Sequence, residues 1–590
     1  MCRELPDTER PDNAFFIALA GALLLVTALG LLLAVGIRPY AQVLALGHYT
    51  YNDEGYYRLD LALSTTRFGL LRSGLLVALM AGGGALFWTG RTPWQRVGSE
   101  LGRAMHRLGA RVRRLPGAAQ ATGIGVVVAV VAARMYYLIC YPLSTDEVAS
   151  YDFFVAHGPL AISSYYPIPN NHILYNLLAW PGFSLGLSPR WAMRLPSLLI
   201  GSAGTVAGGL LLARVVGWRL ATVLTGLVGL GPLWVYYGAV GRGYILHFAL
   251  LQISFFAVLE LLREQSDYRH LAWAAFVVSS VLGLYTLPTH AYPLVALGLT
   301  LAWSLARQRR LNELLWAGGI IGLVSLLLYA PVGAVSGWEK LVSNRYVATR
   351  SAAQFWPPFR AIMYETAAEL FGPSLRLSGP AWLAGAALGG WAARRLLPAG
   401  PRRQAALLAW ALLATPLMLM ALQRVYLPTR TLLYLTFAGY LMAALLLLQI
   451  GQNLTRNHRE WRRFGWPLLL AGTLYLGGGR LWLHQSQVRA SQRETRLLQQ
   501  AYHWLQTNSR PTAAPPTVWL RAPLQSLFFA HYNSLTNGPR LRLYTSENKS
   551  PLRRYDFVVL DNYFLGTSPW STAGYRVVYH DYLITIYAPH

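Results

Sequence analysis

The chain has 590 residues, of which 54% are hydrophobic and only 13% are charged, and its formal net charge is +27. This composition excludes an ordinary soluble protein, because windows of about 20 apolar residues recur along the chain and each can cross a bilayer of about 30 Å. Excess arginine is typical of the cytoplasmic loops of membrane proteins, so the positive charge does not predict a nucleic-acid partner. The two cysteines, Cys2 and Cys140, exclude a disulfide framework and a cysteine-based zinc site.

Apolar runs predict the membrane spans. The first run is longer than the core of a signal peptide, which has about 7–15 residues, so we expect it to be a retained span. Thirteen runs lie near 14–36, 69–89, 121–141, 195–213, 220–240, 243–262, 271–289, 291–306, 314–333, 379–398, 405–422, 430–450 and 464–480. The sequence therefore predicts an all-α polytopic membrane protein with about 13 transmembrane helices.

The turns between these runs alternate in charge. Segment 90–120 holds seven arginines against one acid, Glu100, and further basic turns lie near 214–219, 307–310, 394–403 and 456–463. The positive-inside rule places these turns in the cytoplasm. The loops 37–68, 142–194 and 334–378 and the tail after about residue 481 then face outward.

Three parts of the chain are predicted. Residues 1–120 hold two N-terminal spans and a basic cytoplasmic loop, and residues 121–480 hold the transmembrane core. Residues 481–590 predict a small extracytoplasmic α/β domain, because an amphipathic stretch at 485–507 is followed by strand-like runs rich in Tyr, Val and Ile. Those runs are Val518 to Leu520, Leu541 to Tyr544, Phe557 to Leu560 and Tyr575 to Tyr587.

The stretch that carries chemistry begins just outside the third apolar run with the acidic pair Asp146 and Glu147. Carboxylates that dip into lipid are costly, so they are more plausible lining a cavity, where one of them can take a proton from an attacking hydroxyl. The alternative is a pair of solvated loop acids. A second outer pair, Asp53 and Glu54, is a rival for the same role.

Further motifs follow this pair on the outer side. They are Asn170, Asn171 and His172; Arg194 to Ser197, which reads Arg-Leu-Pro-Ser; Gly241 to Tyr244, which reads Gly-Arg-Gly-Tyr; and an interrupted Tyr-Thr-His-Tyr element that contains His290. In order and spacing, residues 121–480 resemble the membrane-embedded GT-C glycosyltransferases, in particular the bacterial branch related to protein O-mannosyltransferases and lipid A aminoarabinose transferases.

The resemblance implies a reaction on the outer face of a bacterial inner membrane. A polyprenyl-phosphate sugar is the implied donor, a hydroxyl of a protein, lipid or glycan is the acceptor, and Asp146 is the base, with inversion at the anomeric carbon. The acidic pair Asp146 and Glu147 is the implied catalytic centre. The residues that we expect to contact donor phosphate or substrate are Asn170, Asn171, His172, Arg242, Tyr244, Arg345 and Arg350.

No cofactor is expected, and a divalent metal is not indicated by the sequence, although some members of the superfamily use one. Asn171 and His172 also fit a purely structural place on an interfacial helix. Two other functions remain open: a transporter or flippase of envelope precursors, which would more often show internal repeats and charges at the bilayer midplane, and a non-catalytic assembly protein.

Overall fold

The structure is a computed structural model that describes residues 12–48, 61–342, 347–372, 379–454, 459–509, 515–536, 538–545, 554–562 and 574–590. The described residues form 22 α-helices, several 3₁₀ turns and a five-stranded sheet. Asp53, Glu54 and Arg345, which the sequence singles out, lie outside the described residues.

The first half of the chain alternates long helices with short ones. The helices are α1 Asn13–Leu31, α2 Tyr40–Leu44, α3 Thr65–Thr89, α4 Thr92–Arg113, α5 Gly117–Cys140, α6 Thr145–Phe153, α7 Gly158–Ser164, α8 Ile173–Ser184, α9 Pro189–Val216, α10 Trp218–Gly229 and α11 Pro232–Ala239. Helix α1 continues into one π-helical turn at Leu32–Gly36.

The second half is built in the same way and ends with the sheet. Its helices are α12 Tyr244–Leu261, α13 Arg269–Thr286, α14 Ala291–Arg307, α15 Leu311–Val335, α16 Trp338–Val342, α17 Ala352–Phe371, α18 Gly379–Leu396, α19 Pro401–Gln423, α20 Tyr434–Leu454, α21 Arg459–Asn508 and α22 Pro523–Leu535. Its strands are β1 Thr517–Leu520, β2 Arg542–Thr545, β3 Phe557–Asp561, β4 Tyr575–His580 and β5 Ile584–Pro589.

Each predicted apolar run coincides with a helix or a pair of helices. Among the described residues, eight helices are long and apolar enough to cross a membrane, and a ninth span results if α10 and α11 are taken together. These two helices are bent by 70° at a break that precedes Pro232, whose ring cannot continue the hydrogen-bonding of α10. The prediction of an all-α polytopic integral membrane protein is confirmed, and the exact number of spans stays a prediction.

Short helices occupy the segment between spans α5 and α9. Helix α8 has 12 residues, which corresponds to about 18 Å, too short to cross a bilayer core of about 30 Å. The expectation that this segment forms an interfacial helix and not a span agrees with that length. Helices α6, α7 and α8 therefore form a layer at one end of the bundle, next to the ends of the long helices.

The two ends of the bundle differ in charge. Helix α9 begins near Arg194, which contacts the acidic segment, and ends near Arg214, which lies among other arginines. The two residues are 20 positions apart on one helix, or about 30 Å. Asp146 and the Arg-rich turns thus lie at opposite ends, as the alternating charges predict; which end faces the cytoplasm stays a prediction.

The last long helix joins the bundle to the C-terminal sheet. Helix α21 has 50 residues, so the predicted amphipathic helix is continuous with the last apolar run, and the division at residue 481 stays a prediction. Beyond the bundle, its residues Leu498 and Leu505 pack under the sheet. The strand order is β2-β1-β3-β5-β4, with β1 parallel to β2 and β3, and β5 antiparallel to β3 and β4.

The C-terminal α/β prediction is confirmed, with one difference in its last run. The single strand-like run from Tyr575 to Tyr587 is a hairpin of β4 and β5. The Asp581 carboxylate accepts hydrogen bonds from the backbone N–H groups of Leu583 and Ile584, at 2.6 and 2.8 Å. Such a local side-chain bond offers the backbone an alternative to the strand and makes the turn.

Candidate active site

Helix α6 presents the acidic pair because its first turn is capped. The Ser144 hydroxyl accepts from the backbone N–H of Glu147 at 3.3 Å, and the Glu147 carboxylate accepts from the backbone N–H of Ser144 at 2.9 Å. This reciprocal arrangement is a capping box. It fixes the direction in which Asp146 and Glu147 leave the helix, so that neighbours in sequence point to different surroundings.

Glu147 points into the protein. Its side chain has no exposed surface, and its two oxygens accept from Nε and Nη2 of Arg194 at 2.7 Å each. The backbone N–H of Gly241 donates to the same carboxylate at 2.6 Å. Burial pushes the pKa of Glu147 up, but the Arg194 ion pair and the backbone donors outweigh it and hold the pKa below its usual range.

Arg194 is equally enclosed. Besides Glu147, its guanidinium donates to three backbone carbonyls at the end of α5, those of Leu138, Tyr141 and Pro142, at 2.8–2.9 Å. One buried ion pair therefore joins α5, α6, α9 and the turn that precedes α12. The structure places Glu147 as a group that positions this frame, away from any opening.

Asp146 points the other way, towards the surface. About 38% of its side chain is exposed, and its Oδ2 lies 3.4 Å from Nη1 of Arg430 and 3.8 Å from Nη2 of Arg242. It is thus an accessible carboxylate between two guanidinium groups. A reacting hydroxyl can reach such a carboxylate from the surface.

Arg242 is buried beneath Asp146, with 3% of its side chain exposed. Its Nη1 donates to the Ser150 hydroxyl at 2.5 Å and to the backbone carbonyls of Asp146 and Asn170 at 3.2 Å each. Its Nη2 donates to the Asn170 side chain at 2.6 Å and lies 3.1 Å from Nε2 of His172. Most of its donors are taken by the protein, so Arg242 fixes the floor of the site.

The Asn-Asn-His motif forms the wall next to Arg242. The Asn170 amide donates to the Asp146 carbonyl at 3.0 Å. The Asn171 amide donates to the carbonyls of Ile162 and Tyr165 and accepts from Asn176. Asn171 is buried, so it serves the packing of α7 and α8; Asn170 is half-buried and stays at the rim of the site.

His172 ties the wall to the start of α12. Its Nδ1 accepts from the backbone N–H of Gly243 at 3.0 Å. Burial, followed by the nearby charges of Arg242 and Arg430, lowers the pKa of His172 well below its usual range, so the ring is neutral at physiological pH. A Cβ added to Gly243 would lie 2.9 Å from the Thr286 side chain and 3.0 Å from Nδ1 of His172, which explains why glycine is needed there.

Tyr244 lies at the centre of an aromatic cluster. Its ring centroid is 5.0 Å from the His172 ring and 4.8 Å from the Tyr237 ring, and the guanidinium groups of Arg242 and Arg430 lie 5.9 and 6.0 Å from it. The electron-rich ring face attracts both cations. Tyr244 is buried, so it supports the two arginines from below.

Arg430 was not among the residues that we expected to contact the donor phosphate. It lies in the 3₁₀ turn Thr429–Leu432 at the start of a span, and 37% of its side chain is exposed. An outward arginine at a span boundary can reach a lipid phosphate with its forked donors, and this signal applies to Arg430 as well as to Arg242. Arg350 lies on a neighbouring loop, with its guanidinium 5.0 Å from the Tyr426 ring and its backbone N–H bonded to the Arg424 carbonyl.

The C-terminal domain contacts the same short helix that carries Asp146. The imidazole of His531, on α22, lies 3.0 Å from the Asp152 carboxylate, and both side chains are buried. Helix α6 is therefore held from the bundle side by Glu147 and from the domain side by Asp152.

In the part of the chain that the structure describes, no three His, Cys, Asp or Glu side chains come close enough to hold a metal ion.

Together, the fold and the site define a polytopic membrane protein with an accessible carboxylate between two arginines at one end of its bundle. No family model and no curated protein matches the sequence. Among solved structures, the chain is similar to ArnT from Cupriavidus metallidurans in the apo state, with a TM-score of 0.51 and 16% identity over 80% of this chain and 98% of that chain.

The same ArnT bound to undecaprenyl phosphate gives a TM-score of 0.50 and 16% identity over 79% of this chain and 97% of that chain. Arabinosyltransferase EmbB from Mycobacterium smegmatis gives a TM-score of 0.39 and 14% identity over 78% of this chain and 44% of that chain. The two ArnT comparisons show that this chain has the ArnT fold, which confirms the fold expected from the motifs.

Proposed function

We propose that this protein is a membrane glycosyltransferase that moves a sugar from a polyprenyl-phosphate donor to an acceptor hydroxyl, with Asp146 as the general base. The observation that carries the proposal is the setting of Asp146. It is a partly exposed carboxylate on a capped helix, and a buried hydrogen-bonded frame holds it beside two guanidinium groups. A pre-positioned base next to fixed positive charge is what a transfer with an anionic leaving group requires.

The fold supports the choice of donor. A protein with this fold, ArnT from Cupriavidus metallidurans, was solved bound to undecaprenyl phosphate. A lipid-linked donor reaches its enzyme through the membrane, and Asp146 lies at the end of the bundle, at the level where a lipid phosphate would meet it.

The proposed step is a single displacement. The acceptor oxygen forms a bond to the anomeric carbon as the bond from that carbon to the phosphate oxygen breaks. The hydroxyl proton passes to Asp146, and the polyprenyl phosphate leaves with the electron pair. Attack from the face opposite the leaving group inverts the anomeric carbon. The partners are thus the lipid-linked sugar, membrane lipids and a protein, lipid or glycan acceptor.

The roles of the arginines follow from their burial. Arg430 is exposed enough to contact the leaving phosphate, which a guanidinium binds with two parallel donors. Most N–H groups of Arg242 donate to other protein groups, so we propose that Arg242 has a positioning role. We propose the same role for Glu147, Asn171 and His172. Contact of Asn170, Tyr244, Arg345 and Arg350 with substrate stays a prediction.

The proposal extends to orientation. We propose that the protein lies in a bacterial inner membrane, with the Asp146 end and the C-terminal domain facing outward and the Arg-rich end facing the cytoplasm. The three parts of the chain are proposed to divide near residues 120 and 480. A cysteine introduced in place of exposed Ser351 should react with an impermeant thiol reagent in intact cells, whereas one replacing Ser99 should react only after permeabilisation. The reverse labelling pattern would contradict this orientation.

The test of the reaction uses the purified protein in liposomes with labelled polyprenyl-phosphate sugars and an extract of acceptors. Asp146→Asn is expected to lower transfer by about 10²–10⁴-fold, the usual contribution of a general base. The control is Glu264→Gln, an exposed acid at the opposite end, which should transfer at the wild-type rate. Undiminished transfer by Asp146→Asn would remove Asp146 from the mechanism, and loss of transfer in Asp53→Asn instead would move the base to the first outer loop. Donor flux in liposomes that lack acceptor, without transfer, would favour a flippase.

A further inference from the structure

A polar cavity lies at the end of the bundle opposite Asp146. Its volume is about 490 Å³, and it is walled by α4, the ends of α9 and α12, and the start of α19. The frame of the candidate active site does not reach it, because about 30 Å of helix α9 separates Arg194 from the cavity residue Arg214. The function proposed above therefore leaves this cavity unexplained.

The walls of the cavity carry more positive than negative charge. Four arginines and two acids line it: Arg107, Arg111, Arg214, Arg263, Glu260 and Asp267. Both acids are neutralised locally, since Asp267 lies 2.9 Å from Nη1 of Arg107 and Glu260 lies 3.1 Å from Nη1 of Arg263. Arg111 and Arg214 form no ion pair with the residues that the structure describes. Two positive charges are thus left facing one cavity.

Tyr268 adds a buried hydrogen-bond donor to the same wall. Only 6% of its surface is exposed, and the Arg107 guanidinium is the side chain near its hydroxyl, without a well-aligned hydrogen bond between them. The guanidinium carbons of Arg107 and Arg214 lie 5.4 and 5.9 Å from the centre of its ring. A buried hydroxyl without a well-formed hydrogen bond is costly, and an oxygen-rich anion between the arginines would accept one from it.

The part of the wall that α9 and α12 provide is largely apolar. Leu211, Val215, Phe256 and Leu259 line the side of the cavity that α9 and α12 provide. A small soluble anion gains nothing from this surface, whereas the glycerol backbone and first methylenes of a lipid would bury against it. The cavity thus combines a larger polar, cationic part with a smaller apolar part.

Helix α4 indicates that the cavity opens at the membrane surface. Its arginines repeat every four residues at Arg103, Arg107 and Arg111, while Trp94, Leu101 and Met105 are exposed on another face. A basic helix with exposed apolar side chains is typical of helices that lie in the plane of the interface, among lipid headgroups. Its Arg107 and Arg111 then reach the cavity at headgroup depth.

We propose that this cavity binds an anionic phospholipid, with its phosphate between Arg111, Arg214 and the Tyr268 hydroxyl and its upper chains along the apolar wall. This inference does not depend on the glycosyltransferase reaction. The bound lipid would hold α4 against the ends of α9 and α12, so its loss should loosen that corner of the bundle.

The test measures lipid retention by the purified full chain. Delipidated protein in detergent is titrated with phosphatidylglycerol or phosphatidylcholine, and bound lipid is counted by native mass spectrometry. We expect wild type to retain one phosphatidylglycerol and to bind phosphatidylcholine at least tenfold more weakly. The variant Arg111→Gln/Arg214→Gln should lose at least tenfold of its affinity for phosphatidylglycerol. The matched control, Arg113→Gln/Arg219→Gln, removes two exposed arginines at the same end that do not line the cavity and should bind as wild type does.

Equal losses in both double variants would overturn the proposal, since they would show a general charge effect. Competition by millimolar glycerol 3-phosphate as effective as that of the lipid would also overturn it, in favour of a soluble phosphate ligand. If the double variant is not recovered folded, Tyr268→Phe removes only the hydroxyl. That variant should weaken phosphatidylglycerol binding several-fold, and unchanged binding in Tyr268→Phe and in each single arginine variant would refute the site.

Discussion

The carboxylate of Glu147 and the guanidinium of Arg194 form a two-point ion pair, at 2.7 Å on both sides, with no exposed surface on either side chain. The pair fixes the helix that carries Asp146 to the ends of α5 and α9. Glu147 thus fixes the backbone of α6, from which the adjacent side chain of Asp146 extends to the surface.

Removing one partner of this pair should destabilise the protein strongly. Glu147→Gln leaves the buried Arg194 without a counter-charge, and breaking a buried pair in this way costs about 3–5 kcal/mol. Thermal unfolding in detergent should show a large fall in Tm for Glu147→Gln. The double variant Glu147→Gln/Arg194→Met removes both charges and should be destabilised by less than the sum of the single variants. Strict additivity would show that the two side chains do not interact in solution.

Arg430 and Arg242 flank the same carboxylate but should respond differently to substitution. Arg430→Gln removes the guanidinium that we propose to contact the donor phosphate and should raise KM for the donor about tenfold or more, since a hydrogen bond to a charged group contributes about 1.5–3 kcal/mol. Its Tm should stay close to that of wild type. Arg242→Gln removes a buried network and should lower Tm together with activity. The two variants are compared in one liposome assay and one unfolding assay, and an unchanged KM in Arg430→Gln would argue against phosphate contact.

Much of the fold follows from the sequence because long apolar runs and Arg-rich turns are local signals. The run at 195–213, for example, lies within α9, and the run at 121–141 ends one residue beyond α5. The hairpin of β4 and β5 was missed because its turn depends on two hydrogen bonds that the Asp581 carboxylate accepts from backbone N–H groups, inside a run whose composition favours one strand. The break between α10 and α11 was missed because a proline near a span is compatible with either a bend or a straight helix.

The residues of the candidate site could be predicted only in part from the sequence, for a different reason. The motifs locate Asp146, Arg242 and His172 correctly at one end of the bundle, but they do not say which side chain is buried. The motifs did not assign different roles to Asp146 and Glu147, which the capping box, the Gly241 N–H and the Arg194 partner, 47 residues away in sequence, separate. Arg430 joins the site from the far end of the core, a contact that no local pattern contains.

Gly243 offers a test of how tightly the wall of the site is packed. In Gly243→Ala the new methyl group would lie 2.9 Å from the Thr286 side chain and 3.0 Å from Nδ1 of His172. His172 must then move, and both Tm and transfer should fall, with an overpacking cost of about 1–3 kcal/mol. The control is Gly298→Ala in α14, where an added Cβ would have no atom within 4 Å. That substitution should stabilise the helix by about 0.5–1 kcal/mol. A Tm and a transfer rate equal to those of wild type in Gly243→Ala would mean that His172 and Thr286 can move aside at little cost in free energy.

The buried His172 should make stability depend on pH in the mildly acidic range. Burial and the charges of Arg242 and Arg430 lower its pKa well below its usual range in the folded state, whereas the unfolded chain takes up the proton near pH 6.5. Between these two pKa values only the unfolded state is protonated, so stability falls as the pH drops below about 6.5, by up to about 1.4 kcal/mol for each pH unit. His172→Gln has no imidazole at this position, so its stability lacks this pH dependence. The difference in Tm by which wild type exceeds the variant should therefore become smaller from pH 7.5 to pH 5.5. His503→Gln, which replaces an exposed histidine on α21, should keep the pH profile of wild type. A gap that stays constant across this range would show that His172 takes up its proton in the folded state as readily as in the unfolded one.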